Sequence, residues 1–264
     1  MATHAADVFV RAWVDGTRLI PETFPAAPAT VDDLYKTHLA IQQHELVASC
    51  LGGHGGYKLG AIGGAGEACL YAPLFGNFLV EAPGNNLSAA ELQLWQVEPE
   101  IAVIMGSDLP TRADGEPHSV HDVWSAVETV VLCIECCGKR GTPACYEGST
   151  KLGSYADCLS SGGVVLGPRL SASTLPIDAV RSCKAQLIVN DEVLASGSGA
   201  ATPEGGPAEA LTWLANHLNS RGLCLARGNL VATGQICNTK LCKPGDRVTA
   251  TFEGLGSVEM VVMP

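Results

Sequence analysis

Glu98 and Glu100 stand one residue apart inside the run Leu94-Trp95-Gln96-Val97-Glu98-Pro99-Glu100-Ile101-Ala102-Val103-Ile104-Met105. Its β-branched and apolar content predicts a strand, closed by Gly106. Side chains two apart on a strand share a face, so the two carboxylates point the same way, followed by Ala102 and Ile104. Two like charges at the head of a face that wants burial repel and resist desolvation unless something positive lies between them. A hard divalent cation such as Mg²⁺ or Mn²⁺ suits carboxylate oxygens. The alternative is a solvated strand end, and Pro99 is compatible with an edge or a bulge.

A third carboxylate stands in Thr129-Val130-Val131-Leu132-Cys133-Ile134-Glu135-Cys136-Cys137, a run apolar enough to be buried on both faces. Burying Glu135 without a partner costs several kcal/mol. Its partner is either a shared cation or Arg140, which is close enough in sequence to neutralise it. Together, Glu98, Glu100 and Glu135 form a plausible oxygen cage that leaves positions for water and substrate. Cys133 and Cys136 have C-x-x-C spacing, but on a strand they point to opposite faces and no second pair follows.

The glycine-rich segment 52–60 leads into one cation, Lys58, among small and apolar neighbours that let a ligand approach the backbone. It lacks the strand and helix that flank a dinucleotide-binding loop. Residues 61–68 continue in small side chains with no clear element, and 73–81 read as a turn and a short strand ending at Glu81. His38 and His44 read as surface or core-margin histidines.

The elements that must position these groups are mostly strands. Residues 1–29 hold an apolar-polar start and then a proline-rich piece at Pro21, Pro25 and Pro28 that should be extended or looped. Thr30 caps a helix expected over 31–49, with Asp32 and Asp33 in its first turn. A short helix is expected over 120–127 and a longer one from Pro207 to Gly222, with Leu211, Leu214, Ala215 and Leu218 on one face. Strands are expected at 163–166, at 183–189 and 193–195 about an Asn190-Asp191 turn, at 229–234, and at 247–253 and 257–263. The pattern predicts a small N-terminal domain over 1–70 and a β-rich catalytic domain over 71–264.

The 264 residues are 47% hydrophobic and 16% charged, enough for an extensive core. A net charge of −11 argues against nucleic acid and anionic membrane surfaces as partners. There is no apolar run of membrane length, and no basic-then-apolar leader at Met1. Eleven cysteines then read as reduced thiols, and the expected location is the cytoplasm.

Several segments together carry a family resemblance over nearly the whole chain. They are Tyr57-Lys58-Leu59-Gly60, Pro73-x-x-Gly76 leading to Glu81, Val97-Glu98-Pro99-Glu100-Ile101-Ala102, Ile134-Glu135-Cys136-Cys137-Gly138-Lys139-Arg140 and Ala156-Asp157-x-x-Ser160. Pro207-x-x-Ala210, Thr233-Gly234, Pro244-Gly245-Asp246-Arg247-Val248 and Gly254-Leu255-Gly256-Ser257-Val258 complete the set. In order and spacing the chain resembles the 2-keto-4-pentenoate hydratase and 2-oxo-3-hexenedioate decarboxylase branch of the fumarylacetoacetate hydrolase superfamily.

That resemblance implies an α+β fold, the superfamily's mixed β-roll with a small helical N-terminal domain, assembled as a homo-oligomer. It implies Mg²⁺ or Mn²⁺ held by Glu98, Glu100 and Glu135. It places Lys58, Glu81 and Ser160 in catalytic positions, with Tyr57, Arg140, Asp157 and Thr233 at the substrate. The implied substrate is a small anionic 2-oxo acid. The implied reaction is addition of water to a 2-hydroxy-2,4-dienoate to give a 4-hydroxy-2-oxo acid. The alternatives are a metal-dependent 2-oxo acid decarboxylase or a non-catalytic metal-binding relative. Acylpyruvate hydrolysis ranks lower, because His54 has no acid neighbour within its loop. Glu81, Cys158 and Glu209 stand where the family usually has Asp, Asn and Asn, departures that bear on the substrate rather than on the metal.

Overall fold

A computed structural model describes residues 2–61, 68–82, 88–147, 149–237 and 242–264. Most of the small-residue stretch 61–68 lies outside the described residues. The chain opens with three helices, α1 (Ala2–Asp15), α2 (Val31–Gln42) and α3 (Glu45–Cys50). β1 (His54–Ala61), β2 (Cys69–Phe75), β3 (Leu79–Glu81), α4 (Ala89–Leu92) and β4 (Leu94–Met105) follow. Next come α5 (Val120–Ser125), β5 (Val127–Gly138), α6 (Lys151–Tyr155), β6 (Ser161–Ser171) and α7 (Ile177–Ser182). The chain ends with β7 (Lys184–Val189), β8 (Glu192–Ser198), α8 (Pro207–Ser220), β9 (Leu230–Gln235), β10 (Arg247–Phe252) and β11 (Gly256–Val261).

Seven strands form a curled mixed sheet in the order β2-β1-β9-β4-β5-β6-β3. The β1·β9 and β3·β6 pairs are parallel and the others antiparallel. A second, antiparallel sheet has the order β11-β10-β7-β8. Its β7–β8 hairpin turns at Asn190 and Asp191, both at positive φ (50° and 69°), as a tight two-residue turn demands. β1 and β2 pair in the large sheet, and the division expected at residues 70 and 71 falls inside β2.

Residues 2–15, the apolar-polar start, form a helix. Ala5, Ala6, Phe9, Val10 and Trp13 recur at helical spacing and are all buried. The single helix expected over 31–49 is two. Thr30 caps α2 as expected, accepting from the Asp33 N–H at 3.1 Å. At His44 the backbone becomes extended, and its ring Nδ1 accepts from the Leu46 N–H at 3.2 Å to start α3. His38 is fully buried instead of marginal, its ring nitrogens 3.1 and 3.0 Å from the carbonyls of Tyr71 and Tyr155.

The inner face of the curl carries a small apolar cluster that includes Leu74, Ala102, Val131, Cys133, Val164, Leu166 and Ala232, with Ile104 packed against it. Ala102 and Ile104 share this face with Glu98 and Glu100, as two-residue periodicity requires. The acids therefore sit on the same inner wall as a dry core. Close approach of β1 to β9 rests on Gly56, at φ +146°, where a Cβ would lie 1.8 Å from the Leu230 carbonyl oxygen.

Candidate active site

β4 and β5 pair antiparallel with Glu98 directly opposite Glu135, Gln96 opposite Cys137 and Glu100 opposite Cys133. All six side chains therefore share one face of the two strands. The carboxylate oxygens of Glu98 and Glu135 and the Cys137 Sγ lie within 4.8 Å of one another. Glu100 is buried behind them. Its Oε2 accepts from the Gly234 N–H at 3.0 Å, and its Oε1 has no hydrogen-bond partner among the described residues. Gly234, at φ +107°, approaches Pro203 so closely that a Cβ would lie 2.4 Å from its Cδ.

Lys58 enters from β1. In a flat sheet, three strand spacings separate β1 from β5, about 14 Å. The curl removes that gap, and Lys58 Nζ lies 2.5 Å from Glu135 Oε1. Ala232, its neighbour on β9, leaves room for the lysine stem. A second N–H of Lys58 donates to the Leu159 carbonyl at 3.2 Å. Glu135 Oε2 has no hydrogen-bond partner among the described residues. Glu135 thus meets Lys58, and Arg140 does not neutralise it.

Arg140 instead makes a buried pair with Asp157. Its backbone N–H and Nε donate to the carboxylate at 2.7 and 2.9 Å, and Tyr146 Oη adds a bond at 3.3 Å. Nη2 donates to the carbonyls of Gly138 and Ser161, and the guanidinium stacks 4.1 Å over the Trp13 ring of α1. This anchor precedes three consecutive non-glycine residues in the left-handed region, Cys158, Leu159 and Ser160, at φ 45°, 52° and 59°. Such a turn costs about 1–2 kcal/mol per residue and persists only when its surroundings fix it. It delivers the Leu159 carbonyl to Lys58 and Ser160 to the cavity.

The cavity measures about 240 Å³ and is lined by Lys58, Glu98, Cys137, Ser160, Gln96 and Gln235, with apolar walls from Leu70, Trp95, Leu159 and Pro203. That lies below the roughly 300–1,000 Å³ of sites for drug-sized molecules and suits a small acid. The structure thus brings Lys58, Ser160, Glu98, Glu100 and Glu135 together. Tyr57 points to the opposite face of β1, where it packs on His54 and Tyr71. Arg140 and Asp157 satisfy each other, and Thr233 Oγ1 donates to the Ile101 carbonyl at 2.7 Å. These four support the site from behind and are not among the residues lining the cavity. Cys137 does line it, and only its two-residue offset from Glu135 signals this in the sequence.

Glu81 is exposed at the end of edge strand β3 and pairs with Arg169. It is not among the cavity-lining residues. An exposed pair contributes about 0–1 kcal/mol, so Glu81→Ala is expected to leave both the melting temperature and the turnover close to those of wild type. Steady-state kinetics on that variant checks this; a loss of turnover would return Glu81 to the chemistry.

Burial pushes the Glu100 carboxyl well above the usual range, with Glu135 and Glu98 adding to the effect. Burial likewise pushes Glu135 up to about 7, partly offset by Lys58. Burial works to neutralise Lys58, but Glu135, Cys137, Glu98 and Glu100 outweigh it and hold the ammonium above the ordinary lysine value. Carboxyls whose folded values are raised stabilise the ion-free fold below the ordinary glutamate value of about 4.3. For Glu135 that contribution disappears as pH rises through about 7. Thermal melts in chelator are therefore expected to show a melting temperature that falls between about pH 5 and pH 8, with Mg²⁺ restoring it at the upper end. A melting temperature that climbs across this window in chelator would contradict the assignment.

The family model for the fumarylacetoacetate (FAA) hydrolase C-terminal region matches residues 78–263. The chain belongs to the fumarylacetoacetate hydrolase family. Within that family it is similar to 2-keto-4-pentenoate hydratase 2 of Dechloromonas aromatica (strain RCB), 31% identical over 98% of this chain and 96% of the relative. A 4-oxalocrotonate decarboxylase of Pseudomonas putida is 29% identical over 70% of this chain and 68% of its own length. The solved 4-oxalocrotonate decarboxylase from Pseudomonas putida G7, complexed with calcium and acetate, superposes with a TM-score of 0.82. It is 25% identical and covers 99% of this chain and 97% of its own. The chain is thus a family lyase of the hydratase and decarboxylase group, with the expected α+β fold around a curled mixed sheet. Among the described residues, no helix is long and apolar enough to cross a membrane.

Proposed function

We propose that the chain is a divalent-metal-dependent hydratase that adds water to a 2-hydroxy-2,4-dienoate, giving a 4-hydroxy-2-oxo acid. One observation favours it over a decarboxylase acting on a dicarboxylate. Among the described lining residues Lys58 is the one cation, and it is already beside Glu135, while Leu70, Trp95, Leu159 and Pro203 present apolar surface. One carboxylate head and a short apolar tail fit such a cavity. A second carboxylate at the tail would be desolvated with no cation beside it among the described lining residues.

The donor set fits a divalent ion. Glu98, Glu100 and Glu135 would hold it: Glu100 Oε1 and Glu135 Oε2 are buried with no hydrogen-bond partner among the described residues, and a Glu98 oxygen lies within 4.8 Å of one from Glu135. When bound, Mg²⁺ or Mn²⁺ supplies Lewis-acid stabilisation of negative charge at a keto oxygen. Lys58, held by Glu135 and the Leu159 carbonyl, keeps an N–H for the substrate carboxylate and orients it. The Ser160 hydroxyl on the strained turn offers a second polar contact. Trp95 and Leu70 give the conjugated tail an apolar wall.

The test is an assay of 2-hydroxypenta-2,4-dienoate against 2-oxo-3-hexenedioate with CO₂ detection. The expected result is hydration of the first, lost with EDTA and regained with Mg²⁺ or Mn²⁺. Dominant CO₂ release from the second would overturn the hydratase reading in favour of the decarboxylase.

A further inference from the structure

We infer that Cys137 is a sulfur donor to the divalent ion, so that the site has a mixed oxygen–sulfur donor set and binds thiophilic ions such as Co²⁺, Zn²⁺ or Cd²⁺ more tightly than Mg²⁺. The inference rests on the metal reading above and goes beyond it in naming the donor set and the class of ion selected.

Three observations carry it. First, Cys137 follows Glu135 by two residues on β5, and its cross-strand partner Gln96 precedes Glu98 by two on β4. The pleat therefore turns Cys137 Sγ toward the same point as both carboxylates. Their donor atoms lie within 4.8 Å of one another, a spread that one ion can bridge with bonds of about 2.0–2.6 Å. Second, Glu135 is fully buried and its Oε2 has no hydrogen-bond partner among the described residues, so the cluster holds an oxygen prepared for a ligand. Third, Glu98 and Cys137 both line the cavity, which gives an ion and its remaining ligands a route in.

Glu100 lies on the other side of the Glu98–Glu135 pair from Cys137, with its Oε2 on the Gly234 N–H and its Oε1 without a hydrogen-bond partner among the described residues, so the sulfur adds to the carboxylate donors and does not replace one. The other nearby thiols are turned elsewhere. Cys133 Sγ donates to the Glu100 carbonyl at 3.4 Å, and Cys136 Sγ lies 3.6 Å from Met260 Sδ on the opposite face. On coordination the Cys137 S–H bond breaks, the proton leaves to solvent and the sulfur lone pair forms the bond to the ion. A thiolate raises affinity for borderline and soft ions far more than for Mg²⁺.

Ion-free protein is titrated with Co²⁺ and Cd²⁺ while near-ultraviolet absorption is followed, and with Mn²⁺ by calorimetry. Wild type is compared with Cys137→Ser and Cys137→Val, each checked for fold by circular dichroism. Wild type is expected to develop a sulfur-to-metal charge-transfer band that saturates at one ion per chain and is absent from both variants. Outer-shell partners of metal ligands cost about 10–100-fold in affinity when removed. Loss of a direct ligand should weaken Cd²⁺ at least that much while Mn²⁺ binding changes far less. Cadmium NMR on wild type alone, with a downfield shift for a sulfur donor, keeps the test open if a variant does not fold. Stoichiometric Co²⁺ binding with no charge-transfer band, or a band that survives Cys137→Ser, would overturn the sulfur donor and leave the carboxylate site standing. Failure of Co²⁺ and Mn²⁺ alike to bind would overturn both.

Discussion

Lys58→Met is expected to lower kcat/KM for a 2-hydroxy-2,4-dienoate by about 10²–10⁴-fold, the range for a positioned group that steers a proton or the reacting carboxylate. Methionine keeps the buried stem and removes only the charge, so the fold has little volume to recover. The variant leaves Glu135 without its cation at 2.5 Å, next to Glu98 and Glu100. In chelator it should melt well below wild type at neutral pH, because unpaired buried carboxylates are costly. A divalent ion should close much of that gap. Kinetics and calorimetric ion binding on the same sample separate the two roles. Lost turnover with the ion still bound assigns Lys58 to the substrate. Retained turnover removes it from the chemistry, and lost ion binding makes it a support for the metal.

Much of this site was legible because strands repeat every two residues. Glu98, Glu100, Ala102 and Ile104 had to share a face, and Glu135 in so apolar a run had to meet a partner inside. Which partner it meets was not legible. Arg140 is five residues away in sequence, whereas Lys58 is on a strand far from β5 in the chain, brought in by sheet order and curl. Cys137 went unseen for a related reason. C-x-x-C spacing points to Cys133 and Cys136, while the two-residue offset that matters joins a cysteine to a glutamate. Residues 158–160 carry no glycine, so nothing local announces a left-handed turn; the buried groups around it impose the conformation. Glu81 follows the family's order along the chain, yet β3 is a three-residue edge strand and leaves it beside Arg169 in solvent. The opening helix does carry its signal, in Ala5, Ala6, Phe9, Val10 and Trp13 at helical spacing, whereas the break at His44 has none, because a histidine acts there as the cap.

Asp157→Ala is expected to cost about 3–5 kcal/mol, the range for breaking a buried ion pair. For a chain of this size each kcal/mol moves the melting temperature by roughly 2–4 °C, so the fall should be about 6–20 °C. The physical cause is Arg140, 1% exposed, which would keep its guanidinium over the Trp13 ring with no carboxylate beside it. Asp157→Asn should fall between the two, since an amide oxygen can still accept the Arg140 N–H but brings no charge. The double variant Arg140→Met with Asp157→Leu should be more stable than either single variant, because no uncompensated charge is left inside. The same pair anchors the turn that delivers the Leu159 carbonyl to Lys58 and Ser160 to the cavity. Turnover in the double variant should therefore remain low even where stability recovers. Urea melts and kinetics measured together decide this. A double variant with wild-type turnover would show that the left-handed turn holds its shape without the ion pair beneath it.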